Sequence, residues 1–288
     1  MKTNRYIALA CATCLLIACT TEQANEMEIE NNDAVTTEDI LEEVKEGITD
    51  DLADFKFHTF IANIPSPLKT FHVLKKAGVN FHESLTNPVE KRGNYTGSAT
   101  IALNYGIYMA DMGYFTLYEQ QQQSIRYFAA SRELAQELGF VDVLDRVASK
   151  RFETNMGNSD STMVIIDDAF VAMEEYLKTN EQLKTMGLIS AGSWLESQHI
   201  AVSMLINSEL ITDNLELANQ VYEQKLHLAN LLNFLEEYAS ESGFAEVIEG
   251  LNQILITYNS LESSDSVNKE SLQNILDALA VMRTKITD

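Results

Sequence analysis

From residue 36 onward apolar positions recur at intervals of three and four and never settle into a sustained period of two, which predicts helices throughout and an all-α, multi-helix bundle. The first helix is expected to begin at Thr36, with Glu38 and Asp39 favouring its positive end and Leu41, Val44, Ile48, Leu52 and Phe55 along one face. Ile64-Pro65-Ser66-Pro67 ends that path. Ser66 as N-cap, Pro67 at the first helical position and Gly78 just past the end delimit a short second helix carrying Leu68, Phe71 and Leu74. Asn87-Pro88 to Gly97 reads as a loop. A long helical stretch over about 96–138, bent near Gln120 to Gln123, stops at Gly139. Further helices are expected at about 141–155, 159–178, 181–209, 213–242, 244–261 and 268–287. All three prolines precede residue 90.

The N-terminus departs from this pattern. Lys2 and Arg5 form a short basic region, residues 6–17 an apolar run, and Leu16-Ile17-Ala18-Cys19 follows directly. The run is too short to span a bilayer and reads as a secretory signal over residues 1–18, cleaved before a Cys19 that is lipid-modified. Cys11 and Cys14 would leave with the signal, so Cys19 would be the one remaining cysteine, and its acylated sulfur could form no disulfide. A single acyl chain binds membranes only marginally, so durable anchoring requires the several chains of a lipoprotein cysteine. Residues 19–35 are polar and acidic, with Glu22, Glu26, Glu28, Glu30 and Asp33, and read as a tether able to stretch to at most about 55 Å. The expected organisation is therefore signal, lipidated tether and a single helical domain over 36–288, held outside the cytoplasm in the cell envelope, at the outer membrane and facing either the periplasm or the cell surface.

Charge narrows the partners. The chain carries −23, and losing Lys2 and Arg5 with the signal takes it to −25. Nucleic acid and anionic lipid head groups would be repelled, so the expected membrane contact is the N-terminal lipid. An acidic, solvated surface is the ordinary reading of such a balance.

One stretch predicts an internal duplication. Residues 118–145 aligned with 222–249, at an offset of 104, share nine identities in 28 positions without a gap. Tyr118-Glu119-Gln120 matches Tyr222-Glu223-Gln224, and Glu137-x-Gly139-Phe140 matches Glu241-x-Gly243-Phe244. Each glycine would end a helix at positive φ and each phenylalanine would turn the next one onto the core. The repeats would cover about 96–156 and 188–262 and form a pseudo-twofold bundle, against the plainer reading of two ordinary helix-Gly-helix corners.

Few residues suggest chemistry. Ala99, Ala102, Gly106, Ala110 and Gly113 leave one helix face almost bare, so another helix can approach closely. Asn104, Tyr108, Asp111, Phe115 and Tyr118 form a second stripe, in which Asp111 is costly to bury unpaired. Its expected partner is Arg126, Arg151, a tyrosine hydroxyl or a ligand. Beside Trp194, Glu196 and His199 stand at i, i+3, one quarter of the ligand set of a bundle di-metal site. No second Glu-x-x-His follows, so the default is a packed, hydrogen-bonded histidine, with no metal and no cofactor expected. No phosphate-binding glycine loop, Gly-x-Ser-x-Gly elbow or free thiol supports catalysis, and no catalytic residue is assigned. The candidate ligand-binding residues are Asn104, Tyr108, Asp111, Trp194, Glu196 and His199.

Ile64-Pro65-Ser66-Pro67-Leu68, Leu85-Thr86-Asn87-Pro88, the run from Ala102 to Asp111, and Glu153-Thr154-Asn155 together resemble an uncharacterised family of secreted, all-helical Bacteroidota lipoproteins over roughly residues 60–205. The resemblance implies an extracytoplasmic helical protein and carries over no substrate, cofactor or catalytic residue. Met109, Met112 and Phe115 depart from the smaller residues familiar there, which bears on the size of any pocket around Asp111. The expected function is a tethered module binding a protein or small molecule. The alternatives are a metal-binding or enzymatic bundle using Asp111 with Glu196 and His199, and a structural envelope component.

Overall fold

The computed structural model describes residues 67–288, apart from 156, 157, 209 and 211–213 and the side chains of 67, 153 and 159. The expected helix over 36–55, Ser66, the tether and Cys19 lie outside the described residues. Within them the chain is an all-α multi-helix bundle without strands. Its helices are α1 (Pro67–Lys76), α2 (Ser98–Leu117), α3 (Gln121–Glu137), α4 (Val141–Leu144), α5 (Lys150–Asn155), α6 (Ser159–Thr179), α7 (Leu183–Asn207), α8 (Leu215–Leu235), α9 (Phe244–Asn259) and α10 (Lys269–Thr287).

The centre is the pair α2 and α7. Every residue of α2 from Ile101 to Leu117 is buried, and α7 is buried from Met186 to Leu205 except at His199. A helix apolar on all sides belongs in the middle of a bundle. The bare face expected of α2 is what lets the two backbones touch. A Cβ at Gly106 would stand 2.0 Å from the Ile189 carbonyl oxygen, and one at Gly192 1.9 Å from that of Leu103. The two helices run parallel: the first turn of α2 abuts Gly243 through Ala99, and Lys184 near the start of α7 pairs with Glu241, so both N-termini lie at one end.

The expected bent helix over 96–138 is two helices, a correction with a local cause. Glu119 adopts φ 62°, its N–H donates to Thr116 O, and the Gln120 N–H donates to Phe115 O. These backward bonds satisfy carbonyls at the end of α2 and reverse the chain so that α3 packs along it. Lys75 Nζ adds a cap on Leu117 O at 2.7 Å. The path over 141–155 keeps its course but passes through a π segment, Asp145–Ser149, between α4 and α5. The loop from Asn87 contains a 3-10 stretch, Val89–Asn94, and the helix expected to reach 242 ends at Leu235, followed by the 3-10 turn Glu236–Tyr238.

Gly78 follows α1 at φ 85°. Gly139 and Gly243, matched in the internal alignment, have φ 85° and 87°, and Phe140 and Phe244 are both buried. Upstream the matched segments part company: Tyr118 caps the end of α2, whereas Tyr222 lies inside α8.

Candidate functional site

The polar residues of α2 converge on the segment before the first loop. Asn87, fully buried, sits between α2 and α3 and donates its backbone N–H to Asp111 Oδ2 at 3.1 Å. Its side-chain Nδ2 donates to the Tyr95 hydroxyl at 2.8 Å and, more weakly, to Asn104 Oδ1 at 3.4 Å. Tyr95 continues to Tyr108 at 3.2 Å, and Tyr108 donates to Pro88 O at 3.0 Å. The donors therefore run in one direction, from amide to phenol to phenol to carbonyl, so each bond polarises the next. From α3, Tyr127 donates to Asn87 O at 2.8 Å, and its hydroxyl oxygen lies 3.1 Å from Thr86 Oγ1. Asn104 Nδ2 reaches Ile286 O at 2.9 Å, which ties α2 to α10.

Glu196 of α7 enters the same cluster from the opposite side. It has no exposed surface, and Arg283 of α10 grips both of its oxygens, Nε at 2.6 Å and one terminal nitrogen at 2.7 Å. That terminal nitrogen also donates to Leu85 O at 3.2 Å. A planar fork matched to a carboxylate is the geometry in which a buried pair recovers most of its desolvation cost. Burial opposes the charge on Arg283, but the Glu196 carboxylate outweighs it, and the guanidinium is held more firmly protonated than usual.

Asp111 is the unbalanced member. Burial, then the negative charge of Glu196, push its carboxyl well above the usual range, while Arg283 and the Asn87 N–H act the other way. Asp111 Oδ1 has no hydrogen-bond partner among the described residues. A carboxyl that burial and the nearby Glu196 charge both favour in its protonated form leaves the Asp111–Glu196–Arg283 group neutral overall.

The expected partners of Asp111 are thereby corrected. Arg126 pairs with Glu90 and Arg151 with Asp168, both on the surface, because neither side chain reaches inward from its exposed helix face. His199 is also corrected. It lies one turn beyond Glu196, but its Nδ1 is buried without a hydrogen-bond partner. Burial lowers its pKa to about 4, with Glu196 opposing and Arg283 reinforcing the shift. Trp194, two residues before Glu196 and so on the other side of α7, donates to Gln224 Oε1 at 3.1 Å and packs near Tyr258. The fold thus joins Asn104, Tyr108, Asp111 and Glu196, places His199 at the edge and sends Trp194 elsewhere.

The sequence reading missed Asn87, Tyr95, Tyr127 and Arg283 as members of the cluster. Arg283 had a signal: it falls four residues after Leu279 on a helix whose buried positions include Leu272, Ile275, Leu279 and Ile286. Asn87 had none of this kind, since a loop carries no periodicity. The stretches Leu85-Thr86-Asn87-Pro88 and Ala102 to Asp111, noted separately in the sequence, are two sides of one hydrogen-bonded contact.

No family model, no curated protein and no solved structure matches this chain. The cluster must be read from its own chemistry. Among the described residues no three His, Cys, Asp or Glu side chains converge as a metal-binding group. Arg283 occupies both oxygens of Glu196, the place a cation would take. What the arrangement does is bond five segments together through one buried cluster, in which Asn87 Oδ1, Asp111 Oδ1 and His199 Nδ1 are left without a partner.

Away from the cluster lies a groove of about 790 Å³ between α9, α10 and the first turn of α2. None of the six candidate ligand-binding residues lines it.

Proposed function

We propose that this chain is a lipid-anchored, extracytoplasmic binding module of the cell envelope, its polar core serving as an internal lock and its partner received on the surface. The observation that carries this reading is the two-point grip of Arg283 on Glu196, which takes up the carboxylate that the sequence offered as a ligand. Glu196 is held at both oxygens by Arg283, and Asp111 faces Glu196 and Asn87, so the chemistry suggested by the sequence is directed inward at the fold. The signal-like N-terminus, Cys19 and the acidic tether supply the anchor in this reading.

The experiment is fractionation of cells expressing the wild-type chain or Cys19→Ala, followed by crosslinking in intact envelopes. The expected result is labelling with a lipid precursor and membrane fractionation that Cys19→Ala abolishes, with a crosslinked protein partner recovered from the wild type. Recovery of the wild type in the soluble cytoplasmic fraction, or envelopes that yield no partner and no bound small molecule, would overturn it.

The second reading is a metal-binding or enzymatic bundle, favoured by two fully buried carboxyl groups, Asp111 and Glu196, with His199 one turn beyond Glu196. Elemental analysis of native protein decides it: a stoichiometric metal lost in Asp111→Asn supports it, and a metal-free native protein removes it.

A further inference from the structure

The segment from Asn80 to Pro88 lies over Asp111 and is held there by hydrogen bonds and little else. Val79 and Val89 are buried on either side of it, but between them Asn87 is the one buried residue, and it is polar. Phe81 and Leu85 are only half-buried, and the 3-10 turn Glu83–Leu85 buries no side chain. Five bonds pin the segment to the bundle. The His82 N–H donates to the Tyr114 hydroxyl at 2.8 Å and the Asn87 N–H to Asp111 Oδ2, while Arg283, Tyr127 and Tyr108 donate to the carbonyls of Leu85, Asn87 and Pro88. Before it Gly78 stands at φ 85° in open space, with nothing within 4 Å of where a Cβ would be. A segment with few buried apolar contacts, held by bonds that water can replace, opens before packed helices do. The helices beneath are of the other kind, since α2 and α7 meet backbone to backbone at Gly106 and Gly192.

Charge makes that opening sensitive to pH. Asp111 and Glu196 have no exposed surface, and Arg283 directs two of its nitrogens at the oxygens of Glu196. Asp111 is left with the single N–H of Asn87, and its Oδ1 has no partner among the described residues. A carboxylate so placed is a buried charge without compensation, whereas a carboxylic acid is not. We propose that Asn80–Pro88 is a pH-sensitive flap over Asp111, closed on the uncharged acid and lifted when water reaches the carboxyl and it ionises. The surrounding groups leave Asp111 to set the response. Burial pushes the Tyr95, Tyr108, Tyr114 and Tyr127 hydroxyls up, so they stay neutral. Burial opposes the Arg283 charge but Glu196 upholds it, and burial holds His199 down to about 4. His82 and Glu83 of the flap are exposed already, so lifting it changes their surroundings little. In the closed form burial and the Glu196 charge raise the Asp111 carboxyl, while a hydrated aspartate loses its proton at about pH 3.9. Opening therefore releases one proton. The opening constant rises with pH, by up to about tenfold per unit, until the closed form ionises as well. The open form presents an ionised Asp111 to solvent beside Glu196 and Arg283. The inference needs neither the anchor nor the partner of the binding-module reading.

The test is hydrogen exchange of the full chain in nonionic detergent with a chelator present, read by mass spectrometry on fragments covering 79–89 and 101–117. Each rate, taken between pH 5 and pH 8, is divided by the intrinsic amide rate at that pH to give an opening constant. In the wild type the flap should open more readily than α2, and its opening constant should rise by about threefold to tenfold per pH unit. Asp111→Asn should abolish the rise. Tyr127→Phe removes one bond to the flap and leaves Asp111 in place, so it should raise opening about fivefold at every pH with the slope unchanged. A flap that exchanges no faster than α2 overturns the inference, because the motion is then unfolding of the bundle. So does an opening constant that is flat with pH in the wild type, or one that rises equally in Asp111→Asn, which would assign the response to another group such as His82. Should Asp111→Asn fail to fold, the wild-type slope and Tyr127→Phe decide alone: a flat slope, or flap exchange that Tyr127→Phe does not move, overturns the inference. Its failure leaves the binding-module reading standing.

Discussion

Asp111 and His199 are moved by the same burial in opposite senses, and the difference is measurable. Burial and the neighbouring Glu196 keep Asp111 protonated in the fold, while an unfolded aspartate loses its proton near pH 3.9. The folded chain therefore holds a proton that the unfolded chain has released, and this group's contribution to stability falls as pH rises above about 4. Asp111→Asn keeps the shape and cannot ionise, so denaturant titrations from pH 4 to pH 8 should show the variant gaining on the wild type as pH rises. A constant difference would mean that Asp111 is ionised throughout. His199 has the reverse sign. Its pKa falls from 6.5 to about 4, so the unfolded chain takes up a proton first and stability is lost as pH drops through that window. The full shift corresponds to about 3 kcal/mol. Relative to His199→Gln, the wild type should lose about that much between pH 7 and pH 3.5, read from urea midpoints at each pH.

At the scale of elements the glycines of the central helices separate close approach from mere flexibility. Gly106 meets backbone atoms of α7, which cannot move aside without parting the two helices. Gly106→Ala should cost about 3 kcal/mol or more by overpacking, seen as a lower denaturation midpoint. Gly250 meets only the flexible end of Met282, at 3.1 Å from its sulfur, and lies in the interior of α9. Gly250→Ala should be neutral or stabilise by up to about 1 kcal/mol through helix propensity. Glu119 poses the converse case, a non-glycine residue at φ 62° whose exposed carboxylate pairs with Lys75. An exposed ion pair contributes little, and relief of left-handed strain should outweigh both its loss and the added chain entropy, so Glu119→Gly should raise the melting midpoint slightly. The break between α2 and α3 could not be read from periodicity, because the apolar spacing continues on both sides of a residue whose type does not announce a left-handed turn.

For the whole molecule, among the described residues, Arg283 makes the hydrogen bond that spans the greatest sequence distance, joining α10 to the Leu85 carbonyl, and it also binds α7. Removing it leaves Glu196 buried and unpaired beside Asp111, a loss of about 3 to 5 kcal/mol. Arg283→Met combined with Glu196→Leu removes both charges and should recover most of that loss. Comparing the single and double variants by chemical denaturation checks the claim: equal destabilisation would mean that Arg283 acts through packing and not by compensating Glu196. In the single variant, hydrogen exchange should quicken first in α10 and around Asn87, the segments that this contact holds in place.

The sequence by itself determined the all-α class, the positions of most helices and the corner glycines at 78, 139 and 243, because helical period and positive φ are local properties. It also singled out Asn104, Tyr108, Asp111 and Glu196 as polar residues in apolar helices, since burying such groups is costly wherever it occurs. Only the tertiary structure decided their partners. Asn87 comes from a loop, Tyr127 from the outer helix and Arg283 from the last helix of the chain, and no local pattern encodes contacts between such distant segments. The same holds for Trp194, close to Glu196 in sequence but turned to another face of α7, and for the groove, whose walls come from three helices brought together only by packing.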